Sequence, residues 1–143
     1  MYRPINEYVL EQTNAERQRG RLSPLRHDPT LSQIACGHNR DMLKHDYMGH
    51  QDSDGHSPSD RVRWQHRRLL GEVSENTYRG DSLSGPDSHE DNQRWATRIV
   101  ERWMQSAPHR KNILGTNWTH VGACVMRDAA TGRATQVLAN VHA

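Results

Sequence analysis

The chain contains no phenylalanine, only two cysteines, and no apolar run that approaches the length of a membrane span. Each shortage excludes something. Without Phe, four Trp and four Tyr must supply the bulky aromatic surface of any core. Cys36 and Cys124 form neither a CxxC pair nor a zinc-knuckle spacing. One falls on a predicted helix and the other on a predicted strand; a disulfide and two buried thiols are both open to them, with thiols the expectation. The N-terminal stretch MYRPINEYVL lacks an apolar h-region, so no signal peptide is read there, although a trimmed secreted domain would look the same. An excess of one charge is also missing. Nineteen basic and 17 acidic residues leave +2, which gives no electrostatic case for nucleic acid. The basic run Arg61, Arg63, Arg67, Arg68 reads as one solvated helix face.

What is present suffices for a single domain over residues 1–143, expected to be a monomer. Hydrophobic residues make up only 33%, and the mean hydropathy is −1.02. They nevertheless cluster at regular spacing, which argues for a folded chain with a small core and a thick polar shell. Ten histidines are the unusual count, because histidine is a common metal ligand and titrates near neutrality.

The spacing predicts a helix from about Pro4 to Arg19, stopped by Gly20, with Ile5, Val9 and Thr13 on one face. RLSPLRHD follows as a loop. Asp28-Pro29 opens a second helix, since Asp caps free amides and Pro suits the first turn. Leu31, Ile34, Ala35, His38 and Met42 form its apolar face, and His38 reads as a hydrogen-bonded core histidine. Asp52-Ser53-Asp54-Gly55 begins like a calcium loop but lacks the later acidic ligands, so it reads as a turn. Ser57-Pro58-Ser59-Asp60 caps a third helix carrying Val62, His66 and Leu69. EVSENTY is a short extended segment. RGDSLSGPDSHED is a loop, and its RGD is a coincidence of three residues. Trp95, Ile99 and Trp103 mark a fourth helix. MQSAPHRKNIL then holds His109 in a connector, between Pro108 and Arg110. HVGACVM and ATQVLANV flank a turn as an antiparallel hairpin. Helices followed by a hairpin, without βαβ alternation, give an α+β domain.

Taken in order, LSPLRHDPTLSQIACGHNRDM, YMGH, DGHSPSDR, SENT, ERWMQSAPHRKNIL, THVGACV and QVLAN resemble the CAP domain, also called the SCP or sperm-coating-protein-like domain, in its compact bacterial form. The resemblance runs from about Tyr8 to Val141. It implies a three-layer α-β-α sandwich with a small antiparallel sheet. It also implies a cleft built on two histidines and two acidic residues. The first histidine maps to His50, the second to His109, and one acid to Glu75; the histidines can hold a divalent metal, zinc being expected, weakly bound because only two protein ligands are present. Two positions depart from the family pattern. Ser106 stands where larger members carry the second acid, while Glu101 should face elsewhere on the helix. Ser74 replaces a glycine, and would be strained if that position needed positive φ.

By resemblance, the expected function is a secreted binding module whose cleft of His50, Glu75, Ser106 and His109 takes a metal and an extracellular ligand. Lipid or sterol, cell-wall material and protein are the implied ligand classes. The alternatives are a metal-dependent hydrolase with Glu75 as base on a metal-bound water, or a structural domain with a degenerate site. The missing acid tilts the expectation away from an enzyme, and no catalytic residue is assigned. An extracellular or periplasmic location is implied. The lack of a signal peptide keeps a cytoplasmic one open.

Overall fold

The computed structural model describes residues 3–80, 89–127 and 131–141. The elements run α1 (Ile5–Arg19), β1 (Arg26–His27), α2 (Pro29–His45), α3 (Pro58–Gln65), β2 (Leu69–Gly80), α4 (His89–Met104), α5 (Ala107–Ile113), β3 (His120–Arg127) and β4 (Gly132–Val141). The sheet order is β1-β3-β4-β2. Its three long strands are antiparallel, as expected, and the two-residue β1 adds a parallel edge within what reads as a plain loop in sequence.

Alternation along β3 and β4 builds the two cores. Ala123 and Ala134 face Tyr8 and Val9 of α1, Ile99 and Trp103 of α4, and Ile113 of α5. Cys124, Val137 and Ala139 face the other way, onto Leu31, Ile34 and Ala35 of α2 and Val62 of α3. Both faces of the central strands are covered, which is why nearly every residue of β4 is buried. This is the three-layer arrangement, α1, α4 and α5 on one side and α2 and α3 on the other.

Local chemistry fixes the elements. The Asp28 side chain accepts from the Leu31 amide, with Pro29 in the first turn of α2. At its other end, Asp46 adopts a left-handed φ of 48° and closes the helix. Ser57 and Asp60 form a reciprocal capping box at α3. Gly122 allows the start of α2 to lie against β3, since a Cβ there would clash with the Ser32 amide and with Leu31. Asp52 accepts from the amides of Asp54 and His56, so DSDG is the turn expected.

Three expectations are corrected, and the conditional one for Ser74 is answered. Cys36 and Cys124 are not thiols but a disulfide tying α2 to β3 across 88 residues, at a Cα separation of 5.1 Å. The third helix ends at Gln65, where His66 caps it, and Leu69 already belongs to β2. That strand is twelve residues long rather than a short segment. Ser74 pairs with Leu138 in β2 and is not among the positive-φ residues, so it carries no strain. Most of RGDSLSGPDSHED, including Asp81, lies outside the described residues.

Candidate functional site

β2 is the long edge strand, opposite the short β1 edge, and its alternation sends Glu75 and Asn76 to opposite layers. Glu75 points toward α2 and α3 with a fully buried side chain. Its Oε2 accepts from Arg61 Nη1 at 2.7 Å, and its Oε1 accepts from His50 Nδ1 at 2.9 Å. His38 Nε2 lies 3.6 Å from the same Oε1 and donates to the Gly49 carbonyl at 2.7 Å. Arg61 also donates to the His50 carbonyl, so one guanidinium holds both the carboxylate and the loop that presents His50.

This geometry sets the tautomer of His50. An ionised carboxylate only accepts, so Nδ1 carries the proton and Nε2 of the neutral ring is a free lone pair. The ring is half-exposed, with 52% of its side chain open to solvent. The bond to Glu75 raises the His50 pKa against the opposing effect of burial. Burial holds His38 below its ordinary range, outweighing the pull of Glu75.

His109 arrives from the other layer. Its segment is not a connector but the helix α5, with Ser106 at the N-cap and Pro108 in the first turn. Ile113 is fully buried and anchors the helix, while Leu114 is only partly covered. Asn112 donates to the backbone carbonyl of Glu75 at 3.3 Å and to Asn76 Oδ1 at 2.9 Å. Asn76 donates in turn to the His109 carbonyl at 3.3 Å. Helix α5 is thus stitched to the edge strand at the position of Glu75. The His109 pKa is lowered by burial and, to a lesser extent, by the charge of His50. Ser106 Oγ lies 2.9 Å from His109 Nδ1. Ser106 therefore touches the second histidine. Glu101 is exposed.

Two of the expected pairs are in contact, His50 with Glu75 and Ser106 with His109, and Asn112 ties the helix of the second pair to the backbone of the first. Among the described residues, no group of three or more His, Cys, Asp or Glu side chains is arranged to hold a metal ion. Sequence reasoning missed Arg61, read as a solvated face, whereas it is 7% exposed; Arg63, Arg67 and Arg68 are exposed as expected. It also missed Asn76 and Asn112. The available signal for Arg61 was its place at the end of DGHSPSDR, immediately after the capping box that fixes the helix phase.

Residues 10–139 match the cysteine-rich secretory protein (CAP) family. The chain is 38% identical over 114 residues to the protein YkwD of Bacillus subtilis (strain 168), a match that covers 80% of this chain and 39% of that one. The chain thus spans about two fifths of the length of this relative. Its fold is similar to that of an outer surface protein from Borrelia burgdorferi, with a TM-score of 0.79 at 15% identity over 94% of this chain and 91% of that one. It is also similar to an extracellular protein containing an SCP domain from Bacillus anthracis, with a TM-score of 0.75 at 24% identity over 95% of this chain and 40% of that one. By the extent of the family match and the order of its elements, the chain belongs to the CAP family.

Proposed function

We propose that this CAP domain is an exported binding module whose cleft takes a divalent metal, with zinc favoured, between His50 and His109. The reading rests on one observation: Glu75 holds His50 Nδ1 and leaves Nε2 free. A carboxylate behind an imidazole is the usual support of a metal-binding histidine. His109 has the same possibility when Ser106 accepts from its Nδ1. Two imidazoles suit zinc, and with two protein ligands the ion is weak and exchangeable. A bound ion would supply a Lewis-acidic contact for a donor atom of the ligand. The partly exposed polar groups alongside are Asn112 and Ser106, so a hydrogen-bonding ligand of cell-wall or protein type suits the cleft better than a sterol. The Cys36–Cys124 disulfide supports an oxidising, extracytoplasmic location. No described helix is long and apolar enough to cross a membrane.

The hydrolase reading needs Glu75 as a base on water. Both of its oxygens are engaged, by Arg61 and His50, and its side chain is buried. The carboxylate is committed to positioning, which weighs against that role.

The test is calorimetric zinc titration of the parent, His50→Ala, His109→Ala and His66→Ala. Either cleft variant should lose most of the affinity and His66→Ala none, because His66 Nε2 is tied to Asp28 at 2.6 Å. Protons compete for the same lone pairs, so affinity should fall as pH drops through the histidine range, about pH 6.5. Full zinc affinity in His109→Ala would exclude the two-histidine site.

A further inference from the structure

A cavity of about 610 Å³ lies between the end of α1 and the start of β3, built from residues that the cleft does not use. Arg17 is 2% exposed at its wall. Its Nε donates to the Ser23 carbonyl at 2.9 Å, and its Nη1 to the carbonyls of Ile113 and Gly115 at 2.8 and 2.7 Å. All three partners are neutral, and Nη2 makes no hydrogen bond among the described residues. Burial alone pushes its guanidinium pKa down, with no carboxylate acting in the other direction. A buried charge without a counter-ion is costly, and an anion relieves that cost.

The rest of the cavity has the same sign. Arg21, Arg26 and His120 line it, and among the described residues no Asp or Glu does. Asp28, whose charge reaches His120, is already bonded to His66 and to the Leu31 amide. Thr119 Oγ1 engages His120 Nδ1 at 2.8 Å and leaves Nε2 over. Trp118 donates its indole N–H to the Asn112 carbonyl, which fixes the ring as a flat wall. Three guanidiniums and an imidazole offer more donors than the two oxygens of a carboxylate can use, whereas a phosphoryl group presents three terminal oxygens. The volume exceeds that of a bare ion and falls in the range of small-molecule sites.

We propose that this cavity binds a phosphate ester, its phosphoryl oxygens on Arg17, Arg21 and Arg26 and its organic part against Trp118. The site is independent of the histidine cleft, and its test is run in chelator so that the two stand or fall separately.

The experiment titrates the whole chain with inorganic phosphate, phenyl phosphate and benzoate at constant ionic strength, followed by amide and indole NMR shifts. Phenyl phosphate should bind tightest, and its shifts should centre on Trp118, His120 and Ser23. Arg21→Gln and Arg26→Gln should each weaken binding about two- to fivefold, the scale of an exposed charge pair. Neither should alter the melting temperature, because both side chains are exposed. Arg63→Gln, exposed on α3, should change nothing. Vesicles containing phosphatidic acid then separate the sources: competition with phenyl phosphate assigns a lipid headgroup, and lack of competition a soluble ester. Shifts spread over all exposed arginines would overturn the proposal. So would undiminished binding by the Arg21→Gln/Arg26→Gln double variant, or binding to vesicles without any binding of the soluble ester.

Discussion

Glu75→Gln isolates what the buried carboxylate does. Glutamine keeps the shape and one acceptor, but its amide NH₂ must face either the Arg61 guanidinium or the His50 Nδ1–H. Donor meets donor at the 2.7 Å contact with Arg61; at the 2.9 Å contact the His50 ring must instead move its proton to Nε2 so that Nδ1 accepts, which removes the free lone pair. Arg61, whose side chain is 8% exposed, keeps only a distant carboxylate, Asp52 at 3.8 Å from Nε. Removing one partner of a buried pair costs about 3–5 kcal/mol. For 143 residues the unfolding entropy is about 0.3 kcal/mol per degree, so the melting temperature should fall by about 10–17 °C.

A second readout separates this from simple loss of packing. The bond to Glu75 raises the His50 pKa in the parent, so the variant's His50 should titrate at lower pH in metal-free protein. A raised folded pKa contributes stability that is complete below the unfolded value and is lost as pH rises through the folded one. The stability gap between parent and variant should therefore widen as pH falls from above the raised His50 pKa to below the ordinary histidine value, about 6.5. Urea unfolding by tryptophan fluorescence and a histidine NMR titration give both numbers. Glu72→Gln, exposed on the same strand, is the control and should stay within about 0.5 kcal/mol. If Glu75→Gln matched that control and His50 titrated as before, the buried bridge would not organise the cleft.

Replacing both Cys36 and Cys124 with serine should cost about 4–5 kcal/mol, since the bridge closes an 88-residue separation; urea midpoints of the variant and parent decide it. Trp103→Ala should cost about 3–5 kcal/mol, because the ring is 1% exposed and its indole N–H bonds the Thr77 carbonyl; an unchanged melt would contradict the register of α4. Ser106→Glu should tighten zinc about tenfold by placing a carboxylate behind His109, and calorimetry giving equal or weaker affinity would show that Ser106 is not the acid's counterpart.

The elements that were legible in sequence are those whose signals are local. Asp28-Pro29 and Ser57-Pro58-Ser59-Asp60 announce their helices because a cap needs only the next three residues. The apolar face of α2 is periodic because it meets one flat sheet. What was not legible depends on partners far along the chain. Strand β2 was read only as EVSENTY because Leu69 was given to the helix before it and Arg79-Gly80 to the loop after it, and nothing nearby reveals that Glu75 and Asn76 are buried against Arg61 and Gln136. Arg61 looked like the first of four solvated arginines, yet its counter-ion lies 14 residues ahead. The disulfide joins residues whose proximity exists only once α2 lies on β3. Helix α5 was hidden in a polar connector, since seven residues give too little periodicity to reveal an apolar face.

The placement of the cleft follows from the same polar strand. From Asn76 the hydrogen bonds run in one direction: Asn112 donates to Asn76 Oδ1, Asn76 donates to Gln136 Oε1, Gln136 donates to Thr13 Oγ1, and Thr13 donates to the Val9 carbonyl. Asn76 and Gln136 each use the carbonyl toward one neighbour and the NH₂ toward the next, which fixes the orientation of both amides. It joins α5, β2, β4 and α1 beneath His109. On the opposite face of the same strand, Glu75 joins His50 and α3. A shift of β2 by one residue would exchange these faces, putting the carboxylate among the amides and Asn76 against Arg61. The pairing of Glu75 with Val137 and Asn76 with Gln136 is thus what gives Glu75 to His50 and Arg61 on one face and Asn76 to α5 on the other. The polar residues of this strand, Glu75 and Asn76, are the ones that specify its register.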